Sequence, residues 1–214
     1  MIYLYTGTPG SGKSFHLAKD IILRLKLGKN VIANFDINNN VIGYNAITWK
    51  FREKIKPKLS KIKGAFHYWD FEELTVDKLV QFAKDNHKRA KENQTLLVID
   101  ECAIIFNSRA WDNKDRLQWI KFFQQHRKLG YTVILVSQND RLIDRQIRSF
   151  VEYEVKHRKI NNFNWVGQIF ALFAGGTLFF AITYWYSVRE KISIEPIRFN
   201  KRIANLYDTY EIFS

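Results

Sequence analysis

The sequence predicts an α/β protein: a mostly parallel sheet with helices on both faces, completed by extra C-terminal strands or by one membrane-spanning segment. Three observations carry this expectation. Short apolar runs alternate with stretches of helical periodicity from the first residue to about residue 160, the rhythm of βαβ units. The runs "TLLVID" (95–100) and "YTVILVSQ" (131–138) are apolar almost throughout, as strands covered on both faces must be. A glycine-rich turn separates the first apolar run from the first amphipathic stretch.

Taken in order, Ile2 and Leu4 belong to a strand that runs into Gly7. After the turn, "KSFHLAKDIILRLKLG" places Leu17, Ile21, Ile22 and Leu25 on one helical stripe closed by Gly28. "NVIANFD" (30–36) reads as a second buried strand. Residues 37–64 are irregular, and between Lys50 and Lys63 seven lysines and arginines meet one acid, Glu53. That loop is either a phosphate-tracking or lipid-facing element or a solvated insertion. "TVDKLVQFAKDNHKRA" (75–90) predicts a helix and leads to the strand at 95–100. A further helix carries Leu117, Ile120 and Phe123 and ends at Gly130, before the strand at 131–138. "DRLIDRQIRS" predicts a short helix, and "FVEYEVKH" alternates like a half-exposed strand. No repeat or low-complexity linker interrupts the chain, so residues 1–160 read as one domain and 161–214 as its C-terminal extension.

Lys and Arg number 34 against 21 Asp and Glu, a net charge of +13 with a pI near 9.7, which favours anionic partners such as nucleic acid or an anionic membrane face. A basic surface that serves solubility alone fits equally well. The single cysteine, Cys102, allows no internal disulfide and no cysteine metal cluster, as expected in a reducing compartment. "MIYLYTGTPG" has neither a basic n-region nor a long apolar h-region, so the N-terminal part is expected to stay cytoplasmic.

The chemistry concentrates in "GTPGSGKS". Gly7, Thr8, Pro9, Gly10, Ser11, Gly12, Lys13 and Ser14 satisfy G-x-x-x-x-G-K-[ST] between a predicted strand and a predicted helix, the setting that makes the pattern a P-loop. Such a loop turns its N–H groups onto phosphate oxygens, and the helix behind it adds its positive end. Lys13 would neutralise the β and γ phosphates of ATP, and Ser14 would give a hydroxyl to Mg²⁺. "LLVIDE" supplies two acids at a strand end: Asp100 to hold the Mg²⁺ through water, Glu101 to orient or deprotonate the attacking water. A strand-end cap explains an Asp-Glu pair alone; beside the loop, the pair points to nucleotide hydrolysis coupled to movement. Gln138, ending a strand expected next to the first one, either faces the γ-phosphate or caps a loop. Arg141, Arg145 and Arg148 follow on the short helix. In oligomeric motors an arginine from a neighbouring subunit stabilises the transition state, which makes Arg148 or Arg145 a finger candidate against the alternative of a solvated face. Cys102 has no His or Asn constellation around it and reads as a small buried thiol.

"TGTPGSGKS", "ANFDI", "LLVIDECAIIFNSRAWDNKDR", "QHRKLGYTVILVSQ", "LIDRQIRSFVEY" and "LYDTY" together resemble the zonula occludens toxin family, whose members include the filamentous-phage assembly and export ATPase. The "DEC" acids, the stretch from Asn107 to Trp111 with Arg109, and the turn from Arg127 to Gly130 carry the resemblance more than the loop does. It implies an ATPase at the cytoplasmic face of the bacterial host membrane that drives virion extrusion. It also implies a ring of copies, phage coat or export proteins as partners, and single-stranded phage DNA as cargo. Lys13, Ser14, Asp100 and Glu101 fall on the family's nucleotide site. The family's toxin activity belongs to a C-terminal extension and is not implied here.

Residues 165–188 lie in a run with no charged side chain between Asn164 and Arg189, long enough to cross a bilayer. Trp165, Tyr184, Trp185 and Tyr186 would be interface aromatics of such a helix. The alternative is a pair of strands around Gly175-Gly176, since "TLFFAITYWYSV" is rich in aromatic and β-branched residues. In the second case the chain reaches a membrane through its basic surface or an anchored partner. Two other functions compete with the export ATPase: a soluble DNA translocase or packaging ATPase, and a nucleotide-binding scaffold that does not hydrolyse.

Overall fold

The computed structural model describes residues 1–37, 63–107, 113–159 and 178–204. Their centre is a sheet whose strands, in chain order, are β1 (Ile2–Thr6), β2 (Asn30–Ala33), β3 (Phe66–Tyr68), β4 (Thr95–Ile99), β5 (Tyr131–Val136), β6 (Tyr153–Lys159), β7 (Leu178–Trp185) and β8 (Glu190–Arg198). The helices are α1 (Lys13–Lys26), α2 (Val76–Asn86), α3 (Asn113–Gln125), α4 (Arg145–Arg148) and α5 (Lys201–Ala204). In space the strands run β3-β2-β4-β5-β1-β6-β7-β8, parallel through β6 and antiparallel for the last two pairings.

Alternation along the strands builds a separate core on each face. Ile2, Leu4, Leu97, Ile99, Val133 and Leu135 point to one side, where they meet α2, α3 and α4 through Leu79, Trp119, Phe123 and Ile147. Tyr5, Val31, Leu96, Val98, Ile134 and Val136 point to the other, against Phe15, Leu17, Ile21 and Leu25 of α1. Every residue of β4 and of β5 is buried, the signature anticipated from their unbroken apolar runs. α2 starts at Thr75, whose side-chain oxygen accepts from the N–H of Lys78 at 3.3 Å, and Asp77 in its first turn complements the helix dipole.

The structure corrects several expectations. β2 stops at Ala33, and Asn34 and Phe35 form a bend beyond it. β3 falls in a stretch with no clear period and was not anticipated. The strand expected at "FVEYEVKH" begins at Tyr153 and is not half exposed: Glu154, Val155 and His157 are buried, with β7 paired along its outer edge and the α1 side covering Val155 and His157. Residues 178–185 are a strand of this sheet, so one continuous helix over 165–188 does not form. The β7–β8 connection lies at Tyr186–Arg189, whereas Gly175 and Gly176 lie outside the described residues. Tyr184 and Tyr186 serve the fold: Lys156 Nζ sits 5.2 Å from the Tyr184 ring centre, and the Tyr186 hydroxyl donates to Asp140 at 3.1 Å. No helix among the described residues is long and apolar enough to cross a membrane.

Candidate nucleotide site

The loop between β1 and α1 is shaped by its glycines. Gly12 caps α1 with φ +96°, and a Cβ there would lie 2.7 Å from the Phe179 ring. Gly7, at φ +147°, packs against the backbone of His157, where a Cβ would come within 2.7 Å of the carbonyl oxygen. Unlike α2, α1 has no side-chain cap and no acid in its first turn, so its N-terminal N–H groups and dipole are left for an anion. Lys13 Nζ donates to the carbonyls of Gly7 (2.7 Å) and Thr8 (3.3 Å), folded over the loop. Burial pulls its ammonium below the usual lysine range, and the charges of Glu101 and Asp100 act against that shift. The Ser11 hydroxyl oxygen is buried and has no hydrogen-bond partner among the described residues, a polar group that a phosphate oxygen would satisfy.

β4 delivers the two acids. Asn34, just beyond the neighbouring β2, holds the backbone of Asp100 from both sides: its Oδ1 accepts from the Asp100 N–H (2.7 Å) and its Nδ2 donates to the Asp100 carbonyl (2.9 Å). The Asp100 carboxylate accepts from the N–H of Glu101 at 2.8 Å. Glu101 has φ +45°, an uncommon conformation for a non-glycine residue, of the kind that collects at functional sites. Its side chain is exposed, yet desolvation by the surrounding strand ends is the first cause lifting its carboxyl above the usual range, followed by the Asp100 charge. Lys13 and a hydrogen bond with Gln138 oppose the rise. Gln138 follows β5, and β5 lies between β1 and β4. The loop, Gln138 and the acid pair are thus brought together at the carboxyl ends of three adjacent strands.

Four residues that sequence reasoning did not single out support the loop from beneath. His157 on β6 and His16 on α1 are buried with Nε2 of the first 2.9 Å from Nδ1 of the second. Nδ1 of His157 donates to the carbonyl of Thr6 at 3.2 Å, which leaves its Nε2 to accept from His16. Burial, then the neighbouring His16, push the His157 pKa down to about 3, so the ring is neutral. Glu154, buried, accepts from the Thr6 hydroxyl (2.9 Å) and from Arg189 (2.5 Å). Arg189 also donates to Asp140 at 3.0 Å, so the β7–β8 tip grips both the strand entering the loop and the segment following Gln138. A sequence signal existed only for Asn34, a polar residue immediately after an apolar strand.

Arg148 is turned into its own subunit: its guanidinium lies 3.9 Å from Asp140, and its Nε is buried without a partner among the described residues. Arg141 and Arg145 are exposed. Cys102 is fully buried, and its N–H donates to the carbonyl of Val136, a packing residue between β4 and β5. A cleft of 480 Å³ opens between Thr8, Gln138, Lys156 and Lys159. The basic stretch from Lys50 to Lys63, except Lys63 itself, and Asn107–Trp111 beyond Asn107 lie outside the described residues, as does "LYDTY".

The model of the family described as zonular occludens toxin (Zot) matches residues 1–211. The chain belongs to this family. Among curated relatives of this Zot-family chain, the Gene 1 protein of Enterobacteria phage M13 is 26% identical over 225 residues, covering 100% of the chain and 60% of the relative. The chain therefore spans about 60% of the length of that relative. Among solved structures, the N-terminal domain of zonular occludens toxin from Neisseria meningitidis superposes with a TM-score of 0.55 at 15% identity, over 97% of this chain and 98% of that one. The genome packaging NTPase of Sulfolobus turreted icosahedral virus 2, in complex with AMP, gives a TM-score of 0.56 at 19% identity, over 92% and 98%. At these identities the likeness is one of fold, and the fold is that of the P-loop NTPases.

Proposed function

We propose that this Zot-family chain is an ATPase acting at the cytoplasmic face of a bacterial host membrane, where hydrolysis drives assembly and extrusion of filamentous phage. The observation that carries the reading is the meeting of Lys13, Gln138 and Glu101 at the ends of β1, β5 and β4. The N–H groups at the start of α1 bind the phosphates, and Lys13 donates to them in place of the Gly7 and Thr8 carbonyls. A Mg²⁺ fits the donor set, with the Ser14 hydroxyl as a hard oxygen ligand and Asp100 to hold it through water, and would neutralise charge on the β and γ phosphates. Glu101, its carboxyl raised towards neutrality, takes the proton of the attacking water as the water oxygen bonds to the γ-phosphorus and ADP departs. Gln138, beside Glu101, orients that water and responds to loss of the γ-phosphate. Arg148 or Arg145 of a neighbouring copy supplies charge to the transition state of a ring; Arg148 must first leave Asp140.

Phage coat or export proteins and single-stranded DNA are the proposed partners. The net charge of +13 supports membrane association through the basic surface, with an anchored partner as the other route. The test is Mg²⁺-dependent ATP turnover by the full chain and by Glu101→Gln. A loss of about a hundredfold or more in the variant, with ATP binding kept, is the expected result. No turnover by either protein, with ATP still bound, would leave only a nucleotide-binding scaffold, and equal turnover in both would remove Glu101 as the base. Stimulation by single-stranded DNA with no membrane or coat protein present would favour a soluble packaging motor.

A further inference from the structure

Three phenylalanines gather beside the loop where no catalytic role accounts for them. Phe15 follows Ser14 on α1, Phe179 opens β7, and Phe199 follows β8. Their ring centres lie 5.5 Å (Phe15–Phe199), 6.1 Å (Phe15–Phe179) and 6.5 Å (Phe179–Phe199) apart. Phe15 and Phe179 are buried, with Phe179 pressed onto Gly12, but Phe199 remains 44% exposed. Phe199 thus seats on two buried rings, one of which touches Gly12 of the loop, and keeps part of its own aromatic face in solvent.

The direction in which a nucleotide must lie gives that face a ligand. Its γ end points towards Glu101 and Gln138, at the ends of β4 and β5. The strands continue β5-β1-β6-β7-β8, so the nucleoside end leaves the loop on the opposite side, over β6 to β8. Phe179 and Phe199 belong to that side and to the face covered by α1, through their contacts with Phe15. We infer that Phe199, braced by Phe15 and Phe179, is the platform on which the base of the bound nucleotide stacks. This rests on the reading of Gly7–Ser14 as a phosphate loop. A platform of this kind recognises any base by its π-face, so it favours the larger purine ring over a pyrimidine and does little to separate adenine from guanine.

The test uses the full chain with ATP and with inorganic tripolyphosphate, which has the phosphates and no base. Phe199→Ala is expected to weaken ATP at least about fivefold while leaving tripolyphosphate within about twofold, and Phe199→Trp is expected to restore ATP. In the Phe199→Trp protein, added ATP should quench emission beyond the change seen in the parent chain, and tripolyphosphate should not. Equal weakening of both ligands, or of neither, by Phe199→Ala would overturn the platform. Failure of the parent chain to bind either ligand would overturn the phosphate-loop reading, and the platform with it.

Discussion

Replacing Gly12 by alanine tests whether the loop is held in its shape by the C-terminal strands. The substitution carries two separable costs. An L-residue at φ +96° loses about 1–2 kcal/mol relative to glycine in the left-handed region. The new Cβ, 2.7 Å from Cδ1 and Cγ of Phe179, forces a buried ring to move, and overpacking of that kind costs about 1–3 kcal/mol. Loss of freedom in the unfolded chain returns about 0.4–1 kcal/mol. The net expectation is a destabilisation of about 2–4 kcal/mol, read as a fall in the urea midpoint at unchanged slope. The double variant Gly12→Ala, Phe179→Ala separates the two terms. With the ring removed, the steric cost vanishes and the backbone cost remains, so the pair should be less destabilised than the sum of the singles by about 1–3 kcal/mol. A Gly12→Ala protein within about 0.5 kcal/mol of the parent, or a pair that is simply additive, would refute the contact between β7 and the loop.

Asn34→Ala removes both hydrogen bonds to the Asp100 backbone and should cost about 1–3 kcal/mol in urea melts while lowering ATP turnover, whereas a silent substitution would mean that the acid pair is positioned without it. The His157 ring binds a proton in the unfolded chain near the ordinary histidine pKa but in the folded chain only near pH 3. Stability gained from this group is therefore complete above pH 6.5 and falls as pH drops below it, by at most about 1.4 kcal/mol per pH unit. Chemical denaturation at pH 7 and pH 5 should show a smaller loss in His157→Phe than in the parent, and an identical loss would show that the ring titrates normally.

What was legible in the sequence is what depends on short range. β4 and β5 announced themselves because a strand buried on both faces has no polar positions to break its run, and α1 did so because its stripe and its glycine loop are contiguous. The glycine loop and the acid pair that make up the candidate site were likewise visible, being sets of neighbouring residues whose spacing is the signal. The supports were not. Glu154 and His157 sit in a strand whose alternation suggested exposure, and their surroundings are assembled from afar: β7 pairs along the strand from beyond residue 177, and His16 and Tyr5 pack on His157. Arg189 stood out only as the charge that ends an apolar run, and nothing local says that it reaches back to Glu154 and Asp140. The run from 165 to 188 left strands and a span both open for the same reason: a strand between two others and a membrane helix both demand apolar side chains, and only the pairing partners distinguish them.

That pairing changes what the C-terminal segment is. Had residues 178–198 been an appendage, the loop would have rested on β1, β5 and α1 alone. Instead, β7 supplies the ring that fills the space over Gly12, and the β7–β8 tip supplies the guanidinium that neutralises buried Glu154 beneath Thr6. A buried carboxylate that loses a cation partner is destabilised, and of the two cations on Glu154 Arg189 makes the close contact at 2.5 Å while Lys156 stands at 3.6 Å. The same guanidinium holds Asp140, two residues past Gln138, so a displacement of the tip moves the phosphate loop and the γ-phosphate side of the site together. A domain ending at residue 160 would lose its outer two strands, the partner of a buried charge and one wall of the loop at once. The candidate site therefore draws on the C-terminal strands as well as on β1, β4 and β5, and any force applied to the β7–β8 tip would act on Asp140 directly and on Thr6 through Glu154, by the two arms of one arginine.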